Sequence, residues 1–263
     1  MTVKEKIIKY CAIAFAAIII VGIISGIAVG IAAIAGVGGV VGETRSYEGE
    51  GVIRSIEIEV GAGDIRIVEG EKFSVESNLK KLTFRQRGDR VIIKEDSFGN
   101  NRDYNEAFLT VTIPHGIELK EIAISTGACN FTADVLSAEV IDLELGAGNV
   151  KIDSLVATRE IDIEGGAGNI TIGDGMLHNL QLEMGVGELS LTAKIVGGEL
   201  NFGVGKARVT LVGSLNDYTV ELNKSIGEIR FDGDVLSSGG VIGRGDSRVE
   251  IEGGIGSITV DFK

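Results

Sequence analysis

The sequence predicts an all-β fold, a β-solenoid (parallel β-helix-like) of ~19-residue coils with glycine corners, preceded by one transmembrane α-helix. Three observations predict it. The stretch Ile161 to Leu191 holds one unit almost twice: an alternating strand, a glycine corner, then a second alternating strand. Its corners are Gly166-Ala167-Gly168-Asn169 and Gly185-Val186-Gly187-Glu188. The second corner glycine recurs as Gly63, Gly148, Gly168, Gly187, Gly205, Gly227, Gly245 and Gly256, with Cys129 in the same slot. From Cys129 the steps are 19, 20, 19, 18, 22, 18 and 11. The third observation is an uncharged run from Tyr10 to Val41.

Period-two alternation buries one face of a strand, and a corner at fixed spacing makes each unit stack on the last. A period near 19 is too short for a four-stranded propeller blade, and the LxxLxLxxN signature of leucine-rich repeats is absent. Glycine suits a corner that needs positive φ. The following slot holds Asn130, Asn149, Asn169, Glu188, Lys206, Glu228, Asp246 and Ser257. Stacked asparagines form amide ladders, and Glu188, Lys206 and Glu228 would alternate in sign across neighbouring strands. The short last step reads as a terminating hairpin or partial coil.

Taken in order, residues 1–9 form a cytoplasmic tail and 10–41 a transmembrane helix, longer than the ~20 residues a bilayer requires. Lys4, Lys6 and Lys9 precede it, which places the N-terminus in the cytoplasm and the C-terminal domain outside. A cleaved signal peptide is the rival reading, with Ala33-Ile34-Ala35 as the cleavage site. Gly22, Gly26 and Gly30 fall four apart, a face through which two helices could dimerise. Residues 42–52 form a polar tether. Residues 53–123 read as an irregular capping β region, with strands FSVES, LTFRQ and RVIIKE. Caps are expected, because an open solenoid end exposes strand edges.

Asp96 to Ala107 interrupts the pattern with a polar loop. Phe98, Asn100, Asn101, Arg102, Asp103 and Tyr104 make it the candidate contact surface, since loops carry function more often than strands do. The regular solenoid covers 124–263. Its inward positions include Val150, Ile152, Ile161, Ile163, Ile170, Ile172, Leu180, Leu182, Leu189, Leu191, Leu200, Phe202 and Val209.

The net charge is −13. Three Lys and one Glu precede residue 42, so the exported part carries −15. Nucleic-acid binding needs a basic surface and is disfavoured. Cys129 is the only exported cysteine, so no internal disulfide forms. Gly165 to Asn169 resembles the opening of a calcium-binding nonapeptide, but the sixth position is Ile170 and the period is twice too long. Arg244-Gly245-Asp246 is an integrin-type triplet; aligned on the repeat, its Gly-Asp pair falls in a corner. Asn130, Asn169 and Asn223 begin glycosylation sequons. His115 and His178 share no ligand spacing, and no nucleophile elbow, phosphate loop, metal signature or cofactor motif occurs.

GAGNVKI (146–152), GAGNITI (166–172), GVGELSL (185–191) and LTVTIPHGIELKEIAIST (109–126) resemble the prokaryotic "putative adhesin" family of β-strand-repeat proteins, a domain of unknown function. The resemblance covers roughly Val52 to Lys263. It implies a β-solenoid on the outer side of a membrane and supplies no catalytic residues. The expected function is non-catalytic: a membrane-anchored, surface-exposed solenoid that binds envelope polymers or a protein partner, or scaffolds the envelope. A self-assembling scaffold is one alternative. A carbohydrate-active enzyme is the other, and an acidic cluster on one sheet face beside a cleft would favour it.

Overall fold

In the computed structural model the described residues are 40–96 and 104–263. The transmembrane helix, its Gly22, Gly26 and Gly30 face and most of the polar loop lie outside them. Among the described residues no helix is long and apolar enough to cross a membrane. They are almost entirely strand: β1 (Val41–Glu48), β2 (Ser55–Gly70), β3 (Ser74–Leu79), β4 (Leu82–Arg87), β5 (Arg90–Glu95) and β6 (Phe108–Pro114). The winding stretch β7 (Leu119–Leu211) follows, then β8 (Tyr218–Phe231), β9 (Asp234–Leu236), β10 (Gly240–Gly243) and β11 (Ser247–Phe262). The expected tether over 42–52 is instead β1, which pairs antiparallel with β3. Its glutamates and arginine concealed a strand that lies on a sheet edge, where charge is tolerated.

The coils stack in parallel register. Gly63 of β2 lies opposite Cys129 of β7. Within β7, an added Cβ on Gly168 would meet the Gly148 carbonyl, and one on Gly187 would meet that of Gly168. The core is the inside of this winding. Every inward position named above is buried except Phe202, which is partly buried against the core.

At both ends the order of coils in space departs from their order in the chain. The coil made by β5 and β6 packs on the outer side of β2, although β2 comes first in sequence. The regular stack therefore includes β2, inside what reads from sequence as an irregular cap. At the far end β11 inserts between β7 and β8, with Gly256 opposite both Gly205 and Gly227. The last stretch is thus a full internal coil, not a terminating hairpin. The end is closed by β9 and β10, each antiparallel to β8. This also removes Gly245 from the corner series. Its amide donates to the Tyr218 carbonyl in the connection before β11, and the corner of that coil is Gly254-Ile255-Gly256. The expected Glu188, Lys206, Glu228 alternation is broken for the same reason. Lys206 pairs with Glu188 at 3.0 Å, Ser257 follows in space, and Glu228 takes Arg230 at 2.6 Å.

Cys129 occupies its corner without positive φ and with 7% exposure; its thiol donates to Thr126 Oγ1 at 3.3 Å. Burial pushes its pKa up, which leaves less of the reactive thiolate. Alkylation of the native protein should therefore be at least tenfold slower than in denaturant, by roughly the accessible-thiolate argument. Equal rates would show the corner to be open. Cys129→Gly should change the melting temperature little, since it trades a small apolar side chain for the residue its neighbours use.

Candidate functional site

The corner edge of the solenoid carries three parallel columns. The first is glycine backbone. The second is the middle corner residue, which reads in spatial order Ala62, Ala128, Ala147, Ala167, Val186, Val204, Ile255 and Ile226. It grows from methyls to an exposed apolar ridge at the capped end, where Ile226 is 64% exposed.

The third column is a polarised amide ladder. Asn169 Nδ2 donates to Asn149 Oδ1 at 3.1 Å, Asn149 Nδ2 to Asn130 Oδ1 at 3.4 Å, and Asn130 Nδ2 to Asp64 Oδ1 at 3.1 Å. All four side chains are exposed. The chain of amides ends on a carboxylate, a charge-assisted acceptor. The asparagines are legible in the sequence, but Asp64 as their terminus is not.

Beside Asp64 the polar loop rejoins the fold. Where a regular coil would turn through Gly-Ala-Gly, the coil of β5 and β6 carries residues 96–107 instead. Of the candidate contact residues, Phe98, Asn100, Asn101, Arg102 and Asp103 lie outside the described residues. Tyr104 is half-buried, and its hydroxyl donates to Glu95 Oε1 at 2.9 Å. Glu95 is 1% exposed, and its other oxygen accepts the Gly61 amide at 3.0 Å. Tyr104 is therefore a strut holding the loop stem to the first corner. It satisfies a buried carboxylate that would otherwise be costly.

The stem itself is clamped. Buried Asn78 donates to the Glu106 carbonyl at 2.7 Å and accepts from the Phe108 amide at 2.9 Å. Ser77 donates to the Phe108 carbonyl at 2.6 Å, and the Asp64 amide donates to the Ala107 carbonyl at 2.9 Å. Glu106 sits at φ 63°, a conformation non-glycine residues rarely hold unless their surroundings impose it. Stem and corner together enclose an open groove of about 680 Å³. Its lining includes Ala62, Asp64, Asn105, Glu106, Ala128 and Asn130. The aromatic and arginine content of the loop drew attention to residues 98–104; Asn105 and Glu106 were missed. The only signal for them was the alignment of Glu95 and Phe108 on the two halves of β2.

A match to a family model covers residues 49–260. The chain belongs to the Toastrack DUF4097 family. The Toastrack fold is shared with the crystal structure of a "putative adhesin" from Bacteroides fragilis, at 16% identity and TM-score 0.53, covering 83% of this chain and 96% of that one. A "putative cell adhesion protein" from Clostridium sporogenes is 16% identical, with TM-score 0.38 over 84% of this chain and 99% of that one. A "putative lipid binding protein" from Parabacteroides distasonis is 13% identical, with TM-score 0.40 over 83% of this chain and 96% of that one. Among curated proteins none matches.

The Toastrack coils also stack carboxylates. Asp142, Glu144, Asp162, Glu164 and Glu183 occupy the positions four and six residues before successive corner glycines. None of them lines the groove. Crowding by neighbouring atoms, then repulsion from Glu144, Asp162 and Glu121, raises the Asp142 pKa. Crowding, then Asp162, Glu144, Glu183 and Asp142, raises that of Glu164. A carboxyl with a raised folded pKa binds its proton more tightly folded than unfolded, so it weakens the fold above that pKa. Melting temperature should therefore rise as pH falls from neutral into mild acid, and rise with added salt at neutral pH. Asp217 acts oppositely. Its pKa is lowered by the Ser214 amide and hydroxyl, so its stabilisation is lost in stronger acid. In Asp142→Asn/Glu164→Gln the rise between neutral pH and mild acid should shrink. A melting temperature that falls steadily from neutral pH downward would refute the crowding account.

Proposed function

We propose that the chain is a single-pass membrane protein, N-terminus cytoplasmic, whose solenoid stands outside the membrane and binds envelope material without catalysing a reaction. One observation carries the binding role: the stem of the polar loop is clamped rigidly against the corner edge, and the two bound an open, solvent-facing groove. A fixed concave surface lined by convergent polar groups is what a binding site requires. The uncharged run from Tyr10 to Val41 and the lysines before it support the anchor and its orientation. The fold shared with the Bacteroides fragilis protein, named a "putative adhesin", supports a surface role. The four-residue spacing of Gly22, Gly26 and Gly30 supports a homodimer within the membrane.

The acidic column does not favour an enzyme, because it lies off the groove. Asp64 and Glu106 do line it, but both are exposed. A general acid working near neutral pH needs a sheltered carboxyl to hold its proton. End-to-end self-assembly is opposed by the antiparallel strands that cover both terminal coils.

Protease added to protoplasts should digest the C-terminal domain and spare an N-terminal tag, and full-length chain in detergent should be retained on isolated envelope. A protected C-terminus would overturn the topology. Loss of retention on every envelope fraction would overturn the binding role.

A further inference from the structure

We propose that the groove beside the amide ladder binds an extended, uncharged polysaccharide laid along the solenoid axis. The inference rests on the binding role above and names its site and ligand class.

The shape comes first. The groove's volume of about 680 Å³ lies within the range of small-ligand sites. Its floor is the methyl column of Ala62, Ala128 and Ala147 between glycine backbones. Such a floor is flat and apolar, which suits the C–H face of a sugar ring. On one side Ala62 is paired with Ala128, and on the other only residues 60–63 lie between the ladders to β5 and β6, too short an edge for a peptide to add as a strand. The floor also offers no apolar pockets for peptide side chains.

The polar groups come second. A primary amide has two N–H donors and two acceptor lone pairs. Each ladder bond uses one donor of one asparagine and one lone pair of the next. Asn130 and Asn149 thus keep one donor and one lone pair apiece for a ligand. Hydroxyl groups donate and accept, so they match this mixed supply, and a carboxylate such as Asp64 accepts from two neighbouring hydroxyls. The ladder repeats at the strand spacing of about 4.8 Å, close to the advance per sugar of an extended β-linked polysaccharide. An extended β-linked chain turns over at each sugar, so one set of contacts recurs at every second coil, and a chain seated on Asp64 and Asn130 in the groove runs on past Asn149 and Asn169 of the ladder.

Charge narrows the class. Among the described residues Asp64 and Glu106 line the groove and no Lys or Arg does, and the chain carries −13. A uronate or phosphate polymer is repelled by that field. The site is also preorganised: Asn78 holds the Glu106 backbone at φ 63°, and Tyr104 ties the stem to the Glu95–Gly61 corner. Strain held in place by buried partners is expected where geometry must be kept for a ligand.

The test uses full-length chain in detergent, titrated calorimetrically with cello- and chito-oligosaccharides of increasing length, with β-1,4-linked oligoglucuronate as the anionic comparator. Affinity for the neutral series should rise with length and level off near four sugars, because the ladder spans four coils. Oligoglucuronate should bind more weakly. Asp64→Asn keeps an acceptor for Asn130 but removes the charge, and should lower affinity by roughly tenfold, the size of one good polar contact. Asn130→Ala should lower it further. Glu106→Gln, outside the ladder, serves as the groove variant whose effect does not pass through stacking, and melting of each variant is measured alongside. Absence of neutral-sugar binding, stronger binding of the anionic series, or affinities unchanged by both Asp64→Asn and Glu106→Gln would overturn the proposal. If envelope retention persists in that case, the broader binding role stands and only the ligand class is wrong. If retention is lost as well, both fall.

Discussion

Gly168→Val should cost about 4 kcal/mol and lower the melting temperature strongly, near the upper end of what point substitutions do. Two causes add. Gly168 sits at φ 139°, a region that side chains resist at about 1–3 kcal/mol. An ideal Cβ there would also lie 1.8 Å from the Gly148 carbonyl oxygen of the coil below. That atom is backbone, so relief requires two coils to part along the whole corner. Gly88 separates the two causes. It has φ 62° with no atom within 4 Å of an added Cβ, so Gly88→Ala should show only the conformational cost, about 1–2 kcal/mol. The comparison is made by chemical denaturation of both variants. Equal losses would mean that the close stacking contributes nothing and that φ alone explains the glycines.

Ile170→Asp should cost about 3–5 kcal/mol, whereas Thr171→Asp, one residue away, should cost under about 1 kcal/mol. Ile170 is 4% exposed and packs in the column two residues past each corner, with Val150 before it and Leu189 after it, all buried. A carboxylate there is surrounded by aliphatic groups that offer no hydrogen bond. It must either ionise without a partner or stay protonated. Thr171 points to solvent, and its replacement adds charge to an already acidic surface. Similar losses in melting temperature would mean that the strand register is wrong by one residue.

The sequence made the middle of the stack legible because two constraints coincide there. Period-two burial and a glycine whose Cβ has no room recur together from Cys129 to Gly205. Residues such as Ile170 and Gly168 could be placed from either. The ends were not legible in the same way. Each strand edge accepts any coil of the same pattern, so Val249 or Ile258 carries no mark saying which neighbour it joins. Only the broken spacing after Gly205 hinted that the order changes. The groove was half legible for a similar reason. Asn130, Asn149 and Asn169 advertise a ladder, but Glu106 becomes part of a site only when β5 and β6 are laid against the two halves of β2. That pairing is long-range and independent of local pattern.

The insertion of β11 between β7 and β8 bears on how the protein is made. Chains fold progressively as they leave the ribosome. Here coil after coil can close as it emerges, up to Leu211. The next strand, β8, pairs antiparallel with β9 and β10 but gains its parallel neighbour only when Ser247–Phe262 fill the space between it and β7. β11 is held by parallel ladders on both sides, and the Lys263 amide donates to the Leu211 carbonyl. β11 therefore closes the stack as a keystone closes an arch. A chain in which β11 is missing or displaced carries two unpaired parallel edges, the kind of surface that quality-control proteases and chaperones meet in unfinished proteins.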